Sequence, residues 1–201
     1  YVFGGGMDLK SSEVEKYSDL MSESQHLVAT DTLAAVNIPS VCRFLDVGGG
    51  KGTFVSELKK IYPKVDAAVF DLPGSHSETS GHRCIIGSFK EDELPAGYDI
   101  ISLVRILYDH RDETIRDLLG KAYRALDKGG RLIVSEPMLG ADRPTLWGDV
   151  YFAMYTLAMS TGKTRSPDQV SGFIKDAGFS NVTIHKSARP FITTVIEARK
   201  T

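Results

Sequence analysis

Residues 45–52 read LDVGGGKG. An apolar, strand-like stretch, VCRFLDV (41–47), runs into this segment, and a helix-patterned stretch, GTFVSELKKIY (52–62), leaves it. Asp46, Gly48, Gly50 and Gly52 make a D-x-G-x-G-x-G pattern at the junction. Glycines at a strand-to-helix turn let the backbone take positive φ and approach a ligand closely, and the expected guest is a nucleotide. Spacing narrows the choice. A dinucleotide loop, G-x-G-x-x-G, would need glycine at 53, where Thr53 stands. GKGT also fails the Gly-Lys-Ser/Thr requirement of a phosphate-cradling loop.

Outward from this loop the pattern alternates. DAAVFDLP (66–73), RCIIGSF (83–89), YDIISLVRIL (98–107) and RLIVSEP (131–137) read as strands. DETIRDLLGKAYRAL (112–126) reads as an amphipathic helix that DKGG (127–130) should stop with glycine. Ser166 and Pro167 place a cap and a first-turn proline on the helix SPDQVSGFIKDAG. Residues 11–36 carry spaced apolar positions without glycine or proline and are predicted helical. Alternating strands and helices imply a Rossmann-like, doubly wound α/β fold whose sheet is mostly parallel. The link between NVTIHKS (181–187) and PFITTVIEAR (190–199) is too short for a crossover helix, so these strands should form a C-terminal antiparallel hairpin. With them the sheet has seven strands.

Ligands of such sheets sit at the carboxyl ends of the strands, so those ends hold the candidate residues. The second strand ends in Asp71 and Leu72, and a carboxylate there can accept both ribose hydroxyls of a nucleoside. The third ends in Ser88 and Phe89, suited to meet an adenine by a hydrogen bond and by a ring face. Asp71 also reads as a turn aspartate and Phe89 as a core aromatic. Their succession at strand ends favours the nucleoside.

Composition sets the outer bounds. The 201 residues are 42% hydrophobic and 25% charged, with net charge −2 and no basic run, which argues against a nucleic-acid partner. Cys42 and Cys84 are the two cysteines, each in an apolar run, so a disulfide framework is not expected and a reducing cytoplasm is. No apolar stretch is long enough to span a bilayer, no signal peptide is recognised, and no pattern calls for a metal. The numbering opens on Tyr1 rather than methionine, and an upstream region is expected.

The stretches LDVGGGKG, VFDLP, GSFKEDELPAGYDIISLVRILYDHRDE, LDKGGRLIVSEP and TGKTRSPDQVSGFIKDAGF run in this order between about Tyr17 and Lys200. In them the chain resembles the class I S-adenosylmethionine (SAM)-dependent methyltransferases, and more narrowly the plant caffeate-type and bacterial small-molecule O-methyltransferases. The resemblance implies SAM over Gly48 and Gly50, ribose on Asp71, adenine near Ser88 and Phe89, and the methionine end near Met21 to Ser24. Arg105 is placed beside the cofactor. It also implies a catalytic domain over 37–201, preceded by a helical extension over 1–36. The family's N-terminal winged-helix domain, which dimerises, is expected to be absent from this chain, and the full-length protein to be a homodimer.

In plant relatives the fourth strand ends in His-Asp-Trp, the histidine acting as base between two glutamates. Here the positions read Tyr108-Asp109-His110, the first glutamate falls on Glu136 and the second on Thr164. A tyrosine, with an ordinary pKa of about 10, is a poor base but can hydrogen-bond a substrate hydroxyl. His110 could take the base role, although a solvated residue at a helix start is the favoured reading. LVRILYDHRDE, GGRLIVSEPM, GDVYFAMYTLAMSTGKTRS and RPFITTVIEARK further resemble the hydroxyneurosporene/demethylspheroidene O-methyltransferases of bacterial carotenoid synthesis. That branch implies a long apolar acceptor with a tertiary hydroxyl. Tyr151, Met154, Tyr155 and Met159 would line its channel, and Asp149 would orient the hydroxyl or cap the helix. Contact with a membrane surface fits such an acceptor. Methylation of a tetrapyrrole carbon or a polyketide hydroxyl, and a silent SAM-binding module, stay open at this point.

Overall fold

The computed structural model describes residues 24–75, 81–140, 146–159 and 162–201. Helix α1 (24–35) leads into β1 (Arg43–Val47), α2 (Thr53–Ile61), β2 (Asp66–Asp71), β3 (Arg83–Ile86) and β4 (Tyr98–Val104). A 3-10 turn (Leu107–Asp109), α3 (Asp112–Ala125) and β5 (Leu126–Glu136) follow. A π-helical turn (Leu146–Val150), α4 (Tyr151–Met159), α5 (Pro167–Asp176), β6 (Ser180–His185) and β7 (Thr194–Arg199) complete the chain.

The strands form one sheet in the order β3-β2-β1-β4-β5-β7-β6. All pairs from β3 to β5 are parallel, and β7 is antiparallel to both neighbours. The chain winds away from β1 in both directions, so the crevice above β1 and β4 is the topological switch point. Side chains alternate across the sheet. Leu45, Val47, Ile101, Leu103, Leu132 and Val134 pack on Ile115, Leu118, Leu119 and Ile174 of α3 and α5. Phe44, Val69, Ile100 and Ile133 pack on Phe54, Val55 and Leu58 of α2 and on Val28, Ala29 and Leu33 of α1. Each such buried apolar side chain contributes about 1.5–3 kcal/mol. The boundary expected at residue 36 therefore separates segments that share one core. Buried Asp31 also receives two hydrogen bonds from Arg189, at 3.0 and 2.8 Å, tying α1 to the β6–β7 loop.

Two local expectations are corrected. DKGG does not stop α3: the helix passes directly into β5 at Leu126, whose φ of −69° and ψ of 144° are already extended. Gly129, at φ +79°, serves an irregularity inside β5, where the register with β4 slips between the Tyr98 and Ile100 pairs. The fourth strand also ends earlier than its apolar run. It stops at Val104 because Arg105 turns into the left-handed region, φ +60°, and Tyr108 sits on the 3-10 turn beyond. By contrast Ser166 caps α5 as expected, in a reciprocal capping box with Gln169 and with proline in the first turn.

Candidate active site

Parallel pairing brings the tails of β1, β2, β3, β4 and β5 to one edge of the sheet. After β1, Gly48 and Gly50 take φ of +72° and +54°. A side chain at 48 would also strike Ile106, whereas space at 50 is open and only the backbone demands glycine there. The Gly48 N–H donates to the Phe70 carbonyl at 2.8 Å, and the Gly50 N–H donates to Asp71 Oδ2 at 2.7 Å. The Leu72 N–H donates to Asp71 Oδ1 at 2.6 Å. Each Asp71 oxygen keeps a second lone pair for a ligand hydroxyl.

Beneath the loop lies Asp46, 1% exposed. Ser102 Oγ donates to its Oδ1 at 2.6 Å, while Oδ2 is buried against Gly49 and has no partner among the described residues. Burial, reinforced by the negative charge of Asp71, pushes its pKa up to about 7. After β3, the Ser88 N–H donates to Asp92 Oδ2 at 2.8 Å. The Phe89 carbonyl accepts from buried Lys121 at 2.8 Å, and Lys121 also pairs with Asp117 at 3.0 Å. The Phe89 ring meets the His110 ring edge-on with centroids 5.2 Å apart. After β4, the left-handed Arg105 costs about 1–3 kcal/mol of backbone strain. Its N–H donates to the Ser135 carbonyl at 2.8 Å and its Nη1 to Ser24 Oγ at 2.8 Å. Arg105 and Ser24 thus come together at the start of α1.

Glu136, at the end of β5, accepts the Ile106 and Leu107 N–H groups on Oε1, both at 2.7 Å, with the Tyr108 N–H 3.5 Å from Oε2. It holds the backbone of the turn, not the Tyr108 phenol. Burial drives its pKa up to about 8 against these donors. Tyr108 is 2% exposed, and its hydroxyl has the Tyr155 side chain as its polar neighbour. Burial raises its pKa, an effect the Arg105 charge partly offsets, so it remains a neutral phenol.

The O-methyltransferase domain family matches residues 2–180. The chain belongs to that family. It is 45% identical, over 204 aligned residues, to the demethylspheroidene O-methyltransferase of Rhodobacter capsulatus, covering 100% of this chain and 52% of the relative. The enzyme of the same name from Cereibacter sphaeroides is 41% identical, covering 98% of this chain and 55% of the relative. The chain thus spans about half the length of these curated relatives. Human N-acetylserotonin methyltransferase, solved in complex with SAM, superposes with a TM-score of 0.81 at 28% identity, covering 92% of this chain and 55% of that one.

Within this O-methyltransferase domain the remaining candidates divide. His110 is not the solvated residue expected. It is half-buried against Phe89, and burial followed by the Lys90 and Arg165 charges depresses its pKa to about 4, leaving a neutral imidazole. Asp109 is raised to about 7 by burial, opposed by Arg105. Thr164, at the second glutamate position, is buried. Tyr155 stacks on Tyr108 with centroids 5.7 Å apart, and Phe152 meets Tyr108 edge-on at 6.2 Å. Tyr151 and Met154 turn outward, Met154 being 67% exposed, while Thr156 is buried. An apolar depression of about 400 Å³ is lined by Leu139, Gly140, Asp149, Val150, Ala153 and Met154. Asp149 accepts the Gly140 N–H at 2.9 Å beside it. The channel set is therefore split between the Tyr108 cluster and this depression. Met21 and the Met159 side chain lie outside the described residues.

Three contributors escaped the sequence reading. Phe152 was findable, standing three residues from Tyr155 in an aromatic helix. Lys121 and Arg165 were not, since a cation in an amphipathic helix or a loop carries no sign of burial. Among the described residues no cluster of His, Cys, Asp or Glu fits a metal, and no helix is long and apolar enough to cross a membrane.

Proposed function

We propose that this chain is the catalytic portion of a SAM-dependent O-methyltransferase that methylates the tertiary hydroxyl of a hydroxylated carotenoid. The observation that carries this reading is the unit of Gly48, Gly50 and Asp71 at the same sheet edge as a buried neutral phenol, in a chain 45% identical to a demethylspheroidene O-methyltransferase. The residues fit the cofactor. Asp71 takes the ribose hydroxyls, Ser88 and Phe89 border the adenine, and the unpartnered oxygen of Asp46 beneath the loop offers an acceptor to a ligand ammonium. When bound, SAM supplies an electrophilic methyl on sulfonium and leaves as S-adenosylhomocysteine.

With SAM held by Gly48, Gly50 and Asp71, the acceptor oxygen would take the methyl as the sulfur departs, and the hydroxyl proton would leave to water. Tyr108 orients the hydroxyl by a hydrogen bond without ionising, which suits a weakly acidic alcohol better than a phenol. Because α4 covers Tyr108, Phe152 and Tyr155 must shift for the acceptor to reach it. The catalytic domain over 37–201 shares its core with α1 of the helical extension over 1–36. The further length of the relatives corresponds to a winged-helix module that makes the full protein a homodimer in the cytoplasm, touching the membrane only at its surface, with no nucleic-acid partner.

The test is incubation of the full-length protein with methyl-labelled SAM and a 1-hydroxy carotenoid. Label in a 1-methoxy product is expected, with Tyr108→Phe reducing kcat at least tenfold. Cofactor binding without transfer to that acceptor would reject the carotenoid reading, and undiminished turnover by Tyr108→Phe would sink the role of Tyr108.

A further inference from the structure

The turn carrying Tyr108 is held from two sides by residues outside it. Glu136 takes its N–H groups, as described above. The carbonyl side faces Arg165, which is 3% exposed. Arg165 Nη1 donates to the Leu107 carbonyl at 3.2 Å and to the Lys163 carbonyl at 2.8 Å. Nη2 donates to the His110 carbonyl at 2.9 Å and to Asp112 Oδ1 at 2.6 Å, and Nε donates to the same Asp112 oxygen at 2.9 Å. All five donors of the guanidinium are thereby used. The Tyr108 carbonyl accepts the Lys163 N–H at 2.9 Å, and a side chain at Gly162 would collide with that carbonyl.

We propose that Arg165 is a positioning residue for methyl transfer, fixing the Tyr108 phenol by gripping the carbonyl side of its turn opposite Glu136. This rests on the reading of Tyr108 given above. The planar fork is the operative property. A lysine would keep the charge but could not span the Leu107 and His110 carbonyls and Asp112 together. Because Arg165 contacts the backbone of the turn and the start of α3, and not the glycine loop, its loss should move the phenol and leave the cofactor side intact.

The test compares Arg165→Lys, Arg165→Gln, Tyr108→Phe and Arg165→Lys/Tyr108→Phe in the full-length protein. For Arg165→Lys, kcat with a 1-hydroxy carotenoid should fall tenfold or more, while S-adenosylhomocysteine affinity by calorimetry stays within twofold. The double variant should be no slower than the slower single one, since both act through the same phenol. Hydrogen exchange should quicken at the 106–110 amides in Arg165→Lys and stay unchanged in β4. Multiplying losses in the double variant, or a parallel loss of S-adenosylhomocysteine affinity, would make Arg165 merely structural and overturn the proposal. An unaltered protein that transfers no methyl to the carotenoid rejects the acceptor, not the mount. In that case unchanged exchange at 106–110 in both Arg165 variants still overturns the positioning role.

Discussion

The backbone N–H of Gly50 donates to the Asp71 carboxylate over 2.7 Å, so the loop after β1 and the carboxylate after β2 form one unit. Asp71→Asn must present an amide NH2 either to the Gly50 N–H or to the Leu72 N–H, and so loses one of two backbone bonds. S-adenosylhomocysteine affinity should weaken about 10- to 100-fold, the equivalent of one or two hydrogen bonds to a charged group. Isothermal titration checks this, and affinity equal to that of the unaltered protein would remove Asp71 from the site.

Stability should fall as pH rises from about 6.5 to 8. Burial raises Asp46 and Asp109 to about 7 and Glu136 to about 8. The native state therefore holds protons in this window that the unfolded chain has already released near pH 4, and stability declines wherever the native state binds more protons. His110 acts oppositely, because its depressed pKa of about 4 makes stability grow only between there and its ordinary value of about 6.5. Urea midpoints at pH 6.5, 7.5 and 8.5 should descend, and Glu136→Gln should flatten the descent.

Ser135 joins two other buried hydroxyls, with Thr32 Oγ1 and Thr193 Oγ1 each 2.6 Å from its Oγ. Thr32 also donates to the Val28 carbonyl at 2.7 Å. Ser135→Ala should cost about 1–3 kcal/mol, the penalty for stranding a buried polar partner, read from urea unfolding. Ser135→Thr would crowd the same spot and is not expected to rescue.

Asp31 and Arg189 should respond unequally to substitution. Arg189→Ala strands the Asp31 carboxylate, which is 3% exposed, whereas Asp31→Asn leaves a cation that reaches solvent. The first should cost on the order of 2 kcal/mol, below the range for fully buried pairs because Arg189 is partly exposed. The second should cost less. Hydrogen exchange across 24–35 should rise in the first variant, and equal effects from both would contradict the account.

What the sequence disclosed follows from how locally each signal is written. The glycine loop, the strands of the sheet and the α5 cap rest on neighbours within a few residues, and the structure has them where the pattern put them. The tails of the strands were legible as places but less so as contacts. Glu136 was singled out, yet its partners are amides 28 to 30 residues earlier, and no periodicity records which atoms of that segment it meets. Arg165 binds carbonyls 55 and 58 residues before it. The early end of β4 was hidden because apolar residues continue through Leu107, while the break is a single left-handed arginine stabilised by tertiary bonds. The α3–β5 junction misled for the opposite reason: DKGG looks like a helix stop, and its glycine serves a slip in the sheet instead.

The position of β7 governs how this sheet can be assembled. It is the last of these strands to leave the ribosome, yet it lies between β5 and β6, with an unbroken antiparallel ladder to β5 and one to β6 that is irregular between Ser180 and Thr183. Until residues 194–199 emerge, β6 has no strand to pair with and β5 presents an open apolar edge. Completion of the sheet must therefore wait for synthesis of its interior strand. A frameshift or nonsense codon near residue 190 would remove not a fringe but the seam between two finished parts.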